Sequence, residues 1–574
     1  MKNIFLKLFI ALSFAFFCNG VLLSNPISQT KARSIAQTIL KNKSLSMVND
    51  ISNVKGRNSI LHSNPTFYVF NAEDNGGFVI VSSDDAIGSV IGYSTEGSFN
   101  FSSMHPALGK YLDFCTLYLE DVENGEVTPR FRASETPGTI IVDALCKTQW
   151  GQGMPFNQFC PDYSPCGCVA TAMSQIMKYW GWPNTARGKV AYNSTYYKVL
   201  SKDLSTSTYN WSVMSNYGGV IRNQEIREAM ALVAYDAGLS VKMDYSPSGS
   251  GATDENARVS LPTYFKYKAS TIDLQRKYCY STQKEWMNIV KQELVAGRPI
   301  LYCAQDSVNG GHAFIVDGFD SNDFVHVNWG WDGDSNGFYN IATLAPDDTY
   351  YQFSEMQSMI IGIQPDYTEK DTKSRQYRLY MEEKPTSEGT QTLGLPFMVD
   401  YNYFYNMGYD SRTYTLGIGL YDSDANFIKE ISTRVSSITE SYTQTIPPHR
   451  GYSSFSVAAK IDEGTPDGKY ALRCVCREGG YDEWILPDME GGSELNWIPI
   501  LIKGGKVYLS STEGASFPTD LSTIKEESKD VLYKEYYDLN GNKISLNEIY
   551  MKRGVVIERQ HLSDGTVKVT KVLK

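Results

Sequence analysis

SPCGCVATAMSQIMKYWGW, residues 164–182, sets two cysteines one glycine apart at the head of an apolar run. Val169, Ala172, Met173, Ile176, Met177 and Trp180 recur at i, i+3, i+4, i+7, i+8 and i+11, one stripe of an α-helix. Cys168 then lies in the first turn of a buried helix. Unsatisfied backbone N–H groups and the positive end of the helix dipole lower a thiol pKa there. Cysteines so placed can be half of a metal site, partners in disulfides, or a nucleophile with a bystander. A small apolar residue opening a core helix is the plainer account of Cys168 alone, so a base has to be found elsewhere.

Six histidines are available: His62, His105, His312, His326, His449 and His561. His312 stands in NGGHAFIVDGFDSNDFVHVNWGWDG (309–333), which reads as strand 312–317, a turn, and strand 324–329. A turn centred near residues 320 and 321 sets position 312 across from about 329, bringing Asn328, Trp329 and Trp331 beside His312. An Asn carbonyl can accept the imidazole N–H and fix its tautomer, while indole rings shield the pair from water. Gly310 and Gly311 open space around the ring. His312 follows Cys168 by 144 residues, and the order Cys, His, Asn suits papain-like thiol chemistry. Upstream, TQWGQGMPFN (148–157) offers Gln152, whose amide can donate to an oxyanion together with the Cys168 N–H.

The chain of 574 residues is too long for one core. A net charge of −11 argues against sequence-independent binding to nucleic acid, which needs clustered Lys and Arg. Residues 1–20, MKNIFLKLFIALSFAFFCNG, read as a secretory signal with cleavage after Gly20 and Ser24 as a competitor. No later segment approaches a membrane span, so the expected location is secreted or cell-surface. Of ten cysteines, Cys18 leaves with the signal, and the odd number remaining implies at least one free thiol.

Residues 21–135 read as a small α+β unit, with a helix in TKARSIAQTILKN and a hairpin turned at Asn75-Gly76-Gly77. ENGEVTPRFRASETPGT (123–139) has linker and proteolysis-site composition. Residues 136–365 form the expected catalytic unit. A polar run follows, then short alternating strands over 370–510 read as a β-sandwich, with Cys474 and Cys476 sharing one strand face. Residues 515–574 read as a further small β unit.

WGQGMPFN, CGCVATAMSQIMKYWGWP, GGHAFIVDGF and FVHVNWGWDGDSNGFY, in this order and spacing, closely resemble the streptopain family of secreted bacterial cysteine peptidases. The resemblance implies a papain-like α+β catalytic domain, with Cys168 as nucleophile, His312 as general base and Gln152 as oxyanion donor. It places support for the histidine in Asn328, Trp329, Gly330 and Trp331. FYVFNAEDNGGFVIVSSDDAIGSVIGYS resembles the family's inhibitory propeptide, which implies a zymogen acting on protein or peptide substrates with its own propeptide as intramolecular inhibitor. No metal or other cofactor is implied. The chain departs from the family at Cys166; a disulfide from Cys166 to Cys160 or another cysteine would hold the loop before the nucleophile. The C-terminal segments YYDLNGNKI and GVVIERQHLSDGTVKVTKVLK resemble sorting tails of Gram-negative surface proteins. Two rival functions remain: acyl transfer or amidase chemistry on the same dyad, and a surface-binding protein whose papain-like unit is inert.

Overall fold

The computed structural model describes residues 25–48, 66–126, 137–306, 310–340, 357–371, 373–387, 389–408, 410–435 and 442–509, with strands at 531–537, 543–544, 555–562 and 567–573. The expected signal at 1–20, the expected propeptide boundary at 135/136 and the expected start of the terminal unit at 515 lie outside the described residues.

Helix α1 (Gln29–Ile39) begins where the Ser28 side chain accepts the Lys31 N–H. It lies on the strands β1 (Leu45–Val48), β2 (Phe67–Ala72), β3 (Phe78–Ser82) and β4 (Val90–Ser94). Aromatic and β-branched residues of these strands bury both faces. Phe70, Val79 and Val81 meet Ala32 and Ala36 on one side. On the other, Phe67, Phe78 and Ile80 meet Leu108, Tyr111 and Leu112 of helix α2 (Pro106–Glu123). The turn expected at Asn75-Gly76-Gly77 falls between β2 and β3, which pair from Asn71↔Phe78 to Phe67↔Ser82.

The central region supplies β5 (Ile140–Val142), β6 (Lys189–Ser194), β7 (Lys198–Asp203), β8 (Asp273–Arg276), β9 (Ile300–Asp306), β10 (Gly310–Asp320), β11 (Val325–Asn328), β12 (Gly337–Tyr339) and β13 (Ser358–Ile361). Among the described residues, eleven strands join one sheet. Its path is β1-β2-β3-β4-β12-β11-β10-β9-β13-β8, with β5 on β10, and β6 and β7 form a separate hairpin. The N-terminal unit is thus continuous with the central one. β4 pairs with β12 through Tyr93↔Phe338 and Gly92↔Tyr339, covering an edge that would otherwise be bare. Gly92 permits this approach, since a Cβ there would stand 2.5 Å from the Tyr339 ring. One apolar cluster runs from Phe67 and Leu112 to Phe314, Trp329 and Tyr339, so the two units share a core as well as a sheet.

Helices α3 (Cys168–Trp180), α4 (Gln224–Ser240) and α5 (Asp254–Phe265) form a helical lobe around a second core that includes Met173, Met230, Leu261 and Ile315. Helix α6 (Gln283–Val295), opened by a Thr282/Glu285 capping box, places Trp286 and Val290 in the core shared with the N-terminal unit. A helical lobe carrying Cys168 and a β lobe carrying His312 meet where α3 lies against β10. This is the expected papain-like α+β architecture, preceded by a small α+β unit and followed by a β-rich region.

That β-rich region pairs a four-stranded and a seven-stranded sheet around one core, in which Cys474 and Cys476 are both buried. The strands between 531 and 573 form a separate antiparallel sheet. The sandwich is joined to the helical lobe by buried charge. The Tyr377 hydroxyl donates to Glu255 at 2.8 Å, and Arg412 lies 4.1 Å over the Tyr377 ring. Glu255 also pairs with Arg258 at 2.9 Å and Arg412 at 3.6 Å. Removing Glu255, as in Glu255→Ala, strips buried Arg258 of its carboxylate, while Arg412 keeps Glu478 at 2.7 Å. It is expected to lower stability by about 3 kcal/mol, read as a lower urea midpoint. An unchanged midpoint would show the network to be solvated.

Candidate active site

Gly167 precedes α3 with φ +86°, a conformation that L side chains rarely adopt, and it turns the chain sharply into the helix. No side chain caps this N-terminus, so its first N–H groups stay directed at whatever Cys168 presents. The expected stripe of Val169, Ala172, Met173, Ile176 and Met177 is buried, but so are Ala170, Thr171, Ser174 and Gln175. α3 is therefore covered on nearly every side. Its polar residues bond inward: Ser174 Oγ donates to the Ala170 carbonyl at 2.7 Å, and Thr171 Oγ1 to that of Gly167 at 3.1 Å.

Gln175 ties three segments together. Its Oε1 accepts from the Trp150 N–H and from Asn328 Nδ2, both at 3.2 Å, and its Nε2 donates to Asn328 Oδ1 at 3.3 Å. Asn328 Nδ2 also donates to the Thr148 carbonyl at 2.7 Å, while its Oδ1 accepts the Gly330 N–H at 3.1 Å. The amide expected to orient His312 is committed to this strut instead. The expected register is off by two. β10 and β11 pair Ile315↔Asn328 and Val316↔Val327, and a bulge before Gly318↔His326 inserts one residue. Asp320 Oδ1 moves the turn later by accepting the N–H groups of Asn322 and Phe324. Continued along the strand, this register sets Trp331, not Trp329, across from His312.

Gln152 lies beside the nucleophile loop, its carbonyl accepting the Cys166 N–H at 3.1 Å. Cys166 is fully buried as a thiol, 3.4 Å from Thr171 Oγ1 and 3.8 Å from the Gly151 carbonyl. It forms no disulfide, and Cys160 is also a free thiol, so packing holds this loop. Among the described residues no group of three or more His, Cys, Asp or Glu side chains is placed to hold a metal ion.

Cys168 is half-buried, and its sulfur is approached by the N–H groups of Ala313, Val169 and its own residue. Burial nevertheless outweighs these donors and raises the thiol pKa, opposite to the depression expected from helix position alone. His312 is pushed down to about 4, first by burial and then by the positive charge of Lys110 on α2. Both shifts favour the neutral thiol and the neutral imidazole.

Against His312 lies a residue that sequence reasoning passed over. His105 caps α2, its Nδ1 accepting the Ala107 N–H at 3.0 Å, which places the ring proton on Nε2. The ring is fully buried, edge-on to His312 at 5.1 Å and edge-on to Trp331 at 4.9 Å. It stacks near-parallel on Trp329 at 5.8 Å. Trp329 is fixed in turn by Phe314 at 5.0 Å and by its Nε1 donating to the Ser335 carbonyl at 3.1 Å. The available signal was His105-Pro106, a side-chain acceptor immediately before a proline that opens a helix.

Cys168 at the start of α3, His312 near the head of the strand on which α3 packs, and His105 of the N-terminal unit against the His312 ring make up the candidate site. Residues 150–339 match the Peptidase C10 family, and residues 24–119 match the Spi protease inhibitor family. Streptopain of Streptococcus pyogenes is 32% identical over 334 residues, covering 53% of this chain and 82% of the relative. The thiol protease/hemagglutinin PrtT of Porphyromonas gingivalis is 29% identical over 389 residues, covering 62% of this chain and 44% of the relative. A prointerpain A fragment from Prevotella intermedia is 28% identical with a TM-score of 0.46, covering 56% of this chain and 99% of the fragment. The chain belongs to the streptopain family, and it is a cysteine endopeptidase with an N-terminal inhibitor-type domain.

Proposed function

We propose that this protein is a secreted zymogen in which Cys168 attacks the peptide carbonyl and His312 first takes, then delivers, the proton. The observation that carries the reading is the meeting of the α3 N-terminus with the start of β10. The Ala313 N–H points at the Cys168 sulfur, and the preceding residue is His312. Once the pair is ionised, the thiolate adds to the carbonyl carbon. The oxyanion that forms is held by the Cys168 N–H and the Gln152 amide. His312 protonates the leaving amine, and water, losing a proton to His312, releases the acyl-enzyme. Trp329 and Trp331 shield the imidazole from solvent, and Asn328 holds the loop that carries them.

Latency follows from His105. Its ring occupies the space against His312, and the buried imidazole stays neutral, so no thiolate–imidazolium pair forms. The propeptide spans residues 21–135, the catalytic domain 136–365, the sandwich 370–510 and a terminal unit 515–574, with a signal at 1–20 directing export. Protein or peptide substrates enter when cleavage between about residues 125 and 145 frees the N-terminal unit. Incubating the precursor under reducing conditions is expected to yield a new N-terminus in that interval, blocked by a thiol alkylator. A fully active protein that retains residues 25–126 would refute the zymogen assignment.

A further inference from the structure

Latency, on the zymogen reading above, depends on one imidazole pressed against another. His105 has no solvent contact, and its Nε2 is buried with no hydrogen-bond partner. Its Nδ1 is already an acceptor for the Ala107 N–H. A second ring proton must go on Nδ1, where it turns an acceptor toward an N–H donor and removes the cap of α2. The charge would also stand 5.1 Å from the His312 ring. Among the described residues, the charge of His312 bears on His105 and that of Lys110 of α2 on His312, all of one sign. Trp329 and Trp331 offer π faces to a cation, worth about 1–2 kcal/mol. That is less than the cost of a buried, uncapped charge beside a second histidine.

We propose that His105 is an acid-sensitive latch: the propeptide stays seated at neutral pH and is released as the medium turns acidic, each separated imidazole taking up a proton. The sign follows from burial. His105 is pushed down to about 3 by burial and then by His312. His312 is pushed down to about 4 by burial and then by Lys110. Both stand below the ordinary 6.5, so docking is fully favoured above 6.5 and weakens as pH falls toward 4 and 3. Between about pH 7.5 and about pH 5.5 one such histidine weakens docking about tenfold, and two about a hundredfold. One group at the seam acts the other way. Burial raises the pKa of Asp320, which accepts from the propeptide hydroxyl of Tyr93 at 3.1 Å, so acid favours docking there.

The test uses full-length Cys168→Ala protein, so that no cleavage intervenes, and follows hydrogen exchange in α2, corrected for intrinsic rates. Acidification over that interval is expected to increase α2 opening about a hundredfold in this parent. In His105→Asn, where the amide still caps α2 but takes no proton, the increase falls to about tenfold. In His105→Asn/His312→Asn it disappears. Equal pH responses in the parent and His105→Asn overturn the proposal. Should His105→Asn already undock at neutral pH, His312→Asn alone must lose about tenfold of the response, and failure to do so overturns it equally. No arm depends on catalysis. The peptidase reading fails separately, if wild-type protein neither trims itself nor cleaves casein.

Discussion

Cys168→Ala is expected to lower kcat/KM on a protein substrate by about a million-fold, the loss typical of deleting a nucleophile from a preorganised site. The precursor should also stay full length under conditions in which the wild type trims itself. The fold should survive, because residue 168 is half-buried at the first position of α3, where alanine is an excellent helix former. Lost packing of one sulfur should reduce stability by no more than about 1 kcal/mol. Assay with a fluorogenic peptide after removal of residues 1–135, together with a thermal melt, separates the two effects. Activity within tenfold of wild type would place the nucleophile on another thiol. Cys166 is a poor substitute, since burial pushes its thiol up to about 12 and its neighbours are Thr171 and the Gly151 carbonyl.

The placement of Cys168 at a helix start and of His312 on a strand was legible in the sequence because each is local. A 3.6-residue apolar period fixes Cys168 at a helix start, and flanking glycines with a following strand fix His312 on a sheet. The β-rich C-terminal region was legible for the same reason, down to Cys474 and Cys476 sharing a core face. The register that places Asn328 was misread. Its position depended on hairpin register, and neither the bulge before Gly318 nor the turn capped by Asp320 has a periodic signature. Gln175 was invisible because a helix buried all round gives its polar residues no distinguishing spacing. His105 was missed for a deeper reason. Its partner lies over two hundred positions away, across a pairing of β4 with β12 that no local pattern encodes. A reading that treated the N-terminal unit as a separate body had no means of placing one of its side chains against His312.

His105→Ala tests that placement most directly. Three contributions are lost together: the acceptor capping α2, the stack on Trp329, and the apolar surface of a fully buried ring. A cap is worth about 1 kcal/mol, an aromatic stack about 1 kcal/mol and the remaining buried surface about 1 kcal/mol. The cap lies within α2 and persists on release, so the stack and the buried surface, about 2 kcal/mol together, set the shift toward the released state at about thirtyfold. Self-trimming of the precursor at neutral pH should accelerate by that factor, while the mature enzyme, from which residue 105 has gone, should be kinetically unchanged. The shared sheet argues that release will not be complete, because Tyr93↔Phe338 and Gly92↔Tyr339 still pair β4 with β12. The expected product is therefore an N-terminal unit still attached at the sheet edge but withdrawn from His312. Trimming at the wild-type rate in His105→Ala would mean that the sheet and the shared core, rather than the imidazole, hold the site closed.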